Sequence, residues 1–118
     1  MSEAVAAGSA ERAVATLAEM SADLRACAIV GPGGDVLASS GDGPWGEVTG
    51  ELWDAAAAAR PGGEPATQVH VANEDGELFA ARADGLTAVA ITDRFALASL
   101  MFCDLRAVLR DLSGAAAS

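Results

Sequence analysis

Apolar residues follow two different periods along this chain, and the changes of period mark its elements. Over residues 9–23, Ala10, Ala13, Val14, Leu17 and Met20 recur at three- and four-residue spacing, with Glu11, Arg12 and Glu19 elsewhere. That predicts an amphipathic helix with Ser9 at its N-cap. The period then shortens. Ala26-Cys27-Ala28-Ile29-Val30 and Asp35-Val36-Leu37-Ala38-Ser39 flank Gly31-Pro32-Gly33-Gly34, the pattern of a β-hairpin. A second helix is expected over residues 44–59, with Pro44 in its first turn and Asp42 or Gly43 near its cap; it stops before Pro61-Gly62-Gly63. Trp45, Val48, Leu52, Ala55 or Ala56, and Ala59 form its expected apolar face.

Three more short runs follow. Residues 67–72 alternate as a half-buried strand does, residues 77–82 follow the turn Asn73-Glu74-Asp75-Gly76, and residues 87–92 follow Ala83-Asp84-Gly85. They predict an antiparallel meander whose last strand is apolar enough to be central in its sheet. A final helix over residues 95–112, capped by Thr92 or Asp93, carries the stripe Ala98, Met101, Phe102, Leu105, Val108 or Leu109, and Leu112. Residues 1–8 and 113–118 are expected to be loose tails. The order predicts one α+β domain, a five-stranded antiparallel sheet covered by helices.

Composition narrows the function by exclusion. A chain of 118 residues suits a single domain. Seventeen acidic side chains against seven basic ones leave a net charge of −10, which works against a nucleic-acid partner. All seven cations are arginines, so Schiff-base chemistry and a Walker-type phosphate lysine are excluded. The opening residues lack a basic-then-apolar leader, and the longest nearly uncharged apolar run, residues 95–103, is about half a bilayer span. The expectation is a cytoplasmic protein without membrane insertion, with Cys27 and Cys103 as free thiols.

Several residues invite chemistry. The run Gly31-Pro32-Gly33-Gly34 joins two strands and lacks the lysine ending of a phosphate loop, so it reads as a turn. Cys27, His70 and Cys103 are the soft ligands and fall on three different elements, so no metal and no cofactor is expected. Both cysteines read as small buried hydrophobes, and His70 as lying on the wetter face of its strand or in a subunit contact. No acid–base or nucleophile constellation is present, so no catalytic residue is assigned and no enzyme is expected. Glu47, Glu51 and Asp54 share one helix face; they form either a solvated surface or a docking surface for a basic or metal-bearing partner. Gly46 and Gly50 are costly inside a helix, about 1 kcal/mol each relative to alanine. With Trp53 and Ala57 they make a smooth row on which another backbone could lie, pointing to self-association through this helix. Trp53 itself is either an interface anchor or a cap on the edge of the protein's own core.

The element order α-β-β-α-β-β-β-α, with CAIVGPGGDVLASS at residues 27–40 and VHVANEDGELFAARADGLTAVAITD at residues 69–93, resembles the roadblock/dynein light chain family over nearly the whole chain. Profilin-like, longin and PAS-type domains share parts of that topology. The resemblance implies a profilin-like/roadblock sandwich and a non-enzymatic dimeric module, with second helices packed antiparallel and third strands paired into one sheet. On this chain the dimer contact would hold Gly46, Gly50, Trp53 and Ala57 from the helix, and Gln68 and His70 from the strand. The resemblance further implies a small Ras-like GTPase as partner, meeting Glu47, Glu51 and Asp54, with Arg60 as the loop arginine near that surface. The all-arginine, alanine-rich composition fits a high-GC bacterial gene. The alternative is a small-ligand sensor domain of the PAS or profilin-like type, with an enclosed pocket lined by residues such as Trp45, Phe79 and Phe102.

Overall fold

The computed structural model describes residues 7–117. The expected elements form in the expected order: α1 (Ala7–Met20), β1 (Leu24–Val30), β2 (Val36–Ser40), α2 (Trp45–Ala59), β3 (Gln68–Ala72), β4 (Glu77–Ala83), β5 (Leu86–Thr92) and α3 (Ala98–Ala117). The strands lie side by side as β2-β1-β5-β4-β3, every neighbouring pair antiparallel. The most apolar strand, β5, is central, and along it only Ile91 is not fully buried. That position follows from its composition, because a central strand is flanked by backbone on both sides and covered on both faces.

Alternation along the strands divides the interior in two. Cys27, Ile29, Phe79, Ala81, Ala88 and Ala90 point to one face, where Leu17 of α1 and Leu105 and Leu109 of α3 cover them. Ala28, Val30, Ala80 and Val89 point to the other, where α2 supplies Trp45 with Leu52 and Trp53 at its margin. The fold is therefore three-layered, with two helices on one side of the sheet and one on the other.

Three boundaries differ from the expectation, the first two through a tertiary contact. First, α1 ends at Met20 and β1 starts early, because Leu24 pairs with Thr92 on the central strand. Second, α3 starts at Ala98 rather than at residue 95. Phe95 adopts a left-handed backbone (φ 66°), and its N–H donates to the Glu77 carboxylate instead of entering the helix. Neither Thr92 nor Asp93 caps α3: the Thr92 hydroxyl donates to the Asp93 carbonyl, and Asp93 pairs with Arg25 at 2.6 Å. Third, α3 runs on through residues 113–117 and α1 takes in residues 7 and 8, so these are helical rather than loose; residues 1–6 and 118 lie outside the described residues.

The second helix sits on the sheet differently from its expected apolar face. Pro44 is its N-cap (φ −80°, ψ 62°) and makes no side-chain cap bond, while the Trp45 indole donates to the Gly41 carbonyl at 3.1 Å. Trp45 and Thr49 are the buried residues of α2; Ala55 and Ala59 are exposed. Thr49 is tolerated there because its hydroxyl bonds back to the carbonyls of Trp45 and Gly46, at 2.9 and 3.0 Å. The helix is rotated so that its Gly46 edge, not its Val48 edge, approaches the sheet. Gly46 sets that rotation: a Cβ there would fall on the Gly34 carbonyl oxygen of the β1–β2 turn.

Candidate interaction surface

Two strands end the sheet, and they are finished differently. Along β2 the register with β1 shifts between Ile29 and Val30, an irregularity that twists an edge away from further pairing. Along β3 the register with β4 is unbroken from Gln68 to Ala72. The outward side of β3 thus presents a regular row of backbone donors and acceptors with no proline, lysine or bulge among its residues.

The parity of β3 decides which of its side chains accompany that edge on each face. Gln68 pairs with Ala81 and His70 with Phe79, so both stand on the α1/α3 side. Val69 and Val71 pair with Ala80 and Leu78 and stand on the α2 side. Gln68 and His70, expected in the dimer contact through the strand, thus stand on the sheet face opposite α2, while Val69 and Val71 are the neighbours of the α2 layer. Alternation separates Val69 and Val71 from Gln68 and His70, but it does not show which helix layer each pair faces.

His70 is held by its own chain. Its ring stacks on Phe79 (centroids 4.3 Å apart, planes at 9°), and Phe79 in turn meets Phe102 edge-on at 5.5 Å. His70 Nε2 lies 2.6 Å from Glu77 Oε1, and the other Glu77 oxygen accepts from the Phe95 N–H. The hydrogen bond from His70, aided by the Phe95 N–H and opposed by desolvation, holds the Glu77 carboxyl below its usual range. Beside this clamp, Phe95, Leu97 and Leu100 are exposed, and the Arg94 guanidinium lies 4.6 Å over the Phe95 ring. The sequence reading placed Phe95 inside a helix and missed this clamp; a glutamate register-paired with a strand end carries no local signal of its distant partner.

The row on α2 splits into internal and open members. Gly46 is occupied by the Gly34 carbonyl of its own chain, so it is a packing glycine and not part of a free stripe. Gly50 is exposed, and a Cβ there would meet nothing within 4 Å. Ala57 is exposed. Trp53 is half-buried: its indole donates to the Thr87 hydroxyl at 3.2 Å, and the Arg82 guanidinium lies 4.0 Å over its ring. Glu47, Glu51 and Asp54 are all exposed on the outer side of α2, and Arg60 is exposed as its C-cap.

The remaining candidates fall into place by burial. Cys27 is buried, and burial pushes its thiol up against the opposing hydrogen bond to Ser40. Cys103 is exposed on α3, correcting its reading as a buried hydrophobe. Trp45 and Phe79 fill the two cores, and Phe102 packs against one of them; neither described cleft is lined by these three. The run 31–34 is a turn, closed by the Gly34 N–H on the Gly31 carbonyl at 3.1 Å. Among the described residues no cluster of three or more His, Cys, Asp or Glu is arranged to hold a metal, and no helix is long and apolar enough to cross a membrane.

Comparison with known proteins defines the class of fold. No family model and no curated protein matches the chain. Among solved structures, a Roadblock/LC7 domain from Streptomyces avermitilis matches 92% of this chain and 98% of its own length, with TM-score 0.77 and 14% identity. An MglB described in a tetrameric arrangement matches 92% of this chain and 90% of its own, with TM-score 0.66 and 20% identity. Profilin IB of Acanthamoeba castellanii matches 90% and 98%, with TM-score 0.65 and 16% identity. The architecture is thus the α+β sandwich common to roadblock domains and profilins. Within that class, the fold is of the roadblock type.

Proposed function

We propose that this protein is a non-enzymatic, dimeric interaction module that regulates or positions a small Ras-like GTPase in bacterial cytoplasmic signalling. The observation that carries the dimer is the β3 edge: five residues in unbroken register with β4 and open on their other side. Pairing two such edges antiparallel satisfies both rows of backbone groups and closes the sheet under a symmetric operator. The same act brings two α2 layers together over the half-covered face, where Val69, Leu78, Ile91 and Leu52 retain exposed apolar surface. Gly50 and Ala57 supply a smooth flank for the second helix, and Trp53 the rim of the contact. One roadblock-type neighbour, the MglB noted above, is described as a tetrameric arrangement, which fits self-association in this fold.

The GTPase reading rests on the family resemblance together with the exposed acidic row. Glu47, Glu51 and Asp54 lie outside the sheet-facing side of α2 and stay accessible when the edges pair. A basic surface on the partner complements them, and Arg60 at the helix end is a further polar contact.

Light scattering at tens of micromolar is expected to give twice the chain mass of 11.7 kDa. Val71→Lys, on the exposed edge, and Gly50→Leu are expected to weaken the dimer about tenfold or more while leaving the circular-dichroism spectrum unchanged. A strictly monomeric protein ends the dimer reading. Reversal of Glu47, Glu51 and Asp54 to lysine is expected to abolish binding of the GTP-binding protein recovered from the native cytoplasm; undiminished binding ends the assignment of that surface.

A further inference from the structure

An open cleft of about 450 Å3 lies between α2 and the two turns at one end of the sheet, β1–β2 and β4–β5. Its volume falls within the range of small-molecule sites. Glycines of the turns and of α2 make up much of its lining, with Pro32 and Thr49 among them, and Trp53, Arg82 and Thr87 form the remaining wall.

Arg82 is fixed in this wall from three directions. Its backbone N–H donates to the Thr67 carbonyl at 3.0 Å, its Nε to the Ala66 carbonyl at 2.8 Å, and its guanidinium carbon lies 4.0 Å from the centre of the Trp53 ring. Arg82 and Thr87 are register partners on β4 and β5, and the Thr87 hydroxyl oxygen already accepts from the Trp53 indole, which leaves its own proton to donate. Among the described residues, no carboxylate oxygen lies within 4.0 Å of Arg82. Its burial sets it apart: Arg82 is half-buried and held by a carbonyl and an indole, while the other six arginines are exposed. A guanidinium immobilised through Nε and its face keeps its terminal N–H groups for a planar oxyanion, the geometry at which arginine is most selective. Gly50 adds a separate observation. It is a helix-interior glycine with no neighbour in its own chain to require it, and it leaves its own position on the cleft wall open.

We propose that this cleft binds a small organic oxyanion, its carboxylate or phosphate held by Arg82 and Thr87 and its apolar body lying along the glycine-lined wall. The inference does not rest on the dimer or GTPase reading, although Gly50 and Trp53 line this cleft and also stand in the proposed dimer contact.

The test is an NMR titration of the full chain, following the indole N–H signals of Trp45 and Trp53, with Trp53→Phe to assign them. Benzoate and phenyl phosphate separate the carboxylate from the phosphate source, and neutral benzamide controls for simple apolar contact. The Trp53 signal is expected to shift saturably with at least one anion and not with benzamide. Arg82→Gln is expected to weaken that binding about tenfold or more. Gly50→Leu, which fills the cleft from the helix side, is expected to abolish it even if Arg82→Gln proves unstable. A Trp53 signal unmoved by both anions, an equal response to benzamide, or undiminished binding by a folded Arg82→Gln overturns the proposal and leaves Arg82 as a tie between β4 and the 60–67 loop. A monomeric protein that still binds the anion would end the dimer reading and leave this one standing.

Discussion

The two faces of the sheet are built to different degrees of completion. On the α1/α3 face, two helices bury seventeen residues in one continuous cluster, including Leu17, Ile29, Phe79, Leu105 and Leu109; on the α2 face a single helix buries five, and Leu52, Trp53, Leu78 and Ile91 remain partly exposed around them. Hydrophobic burial scales with area removed from water, so most of the folding free energy resides on the first face. The second face keeps apolar area, an open helix glycine, an unpaired strand edge and a fixed arginine. Such features cost stability in an isolated domain and become useful when something else covers them. On the reading proposed above, the contrast separates the surface that folds the protein from the surface that would meet a partner.

The largest expected effect compares the two faces directly. Leu105→Ala empties a fully buried site and is expected to cost about 3–4 kcal/mol in urea denaturation, against about 1 kcal/mol for Leu52→Ala at the margin of the α2 face. Equal losses would break the distinction.

A sharper comparison lies within α2, between two glycines four residues apart. Gly46→Ala drives a methyl group onto the Gly34 carbonyl and is expected to cost about 1–3 kcal/mol despite alanine's better helix propensity. Gly50→Ala meets no neighbour and is expected to stabilise the monomer by up to about 1 kcal/mol in denaturation at low protein concentration. If both substitutions shift stability in the same direction, the assignment of one glycine to packing and the other to binding fails.

The smallest effect concerns the clamp on the other side of β3. The Glu77 carboxyl is held below its ordinary value chiefly by the hydrogen bond from His70. A depressed carboxyl contributes stability that is fully present above its unfolded pKa of about 4.3 and is lost as pH falls through the lower folded value. Wild type is accordingly expected to exceed Glu77→Gln in melting temperature at pH 7, with the gap closing below about pH 4. A gap constant with pH would mean that the carboxylate charge plays no part in holding Phe95.

Much of the architecture was legible because it is written in local periods. The helix spacing of α2, the alternation of the meander, the Asp-Gly and Gly-Pro turns and the apolar excess of β5 each dictate an element without reference to the rest of the chain. The acidic row was legible for the same reason, since charges at helical spacing opposite an apolar face project outward. The surroundings of the candidate contact residues were less legible. Gln68 and His70 were the parity of β3 that faces α1 and α3, Gly46 proved internal, and Arg82 drew no notice at all. Arg82 sits at a strand end in a polar turn region, and nothing nearby in the chain announces that Trp53 will lie against it.

From the amino-acid order alone came the sequence of elements, their type, the central place of β5 and the outward charge of α2, because period and propensity act over a few neighbouring residues. Tertiary structure decided the rest: which parity of β3 joins the α2 layer, where α3 can begin, why Gly46 and Gly50 differ, and how Arg82, Trp53 and Thr87 form one wall. Each depends on a close approach between distant segments, such as the Gly34 carbonyl arriving at Gly46 or the Ala66 carbonyl at Arg82. Close packing acts between surfaces rather than along the chain, so only the assembled layers determine which atoms meet.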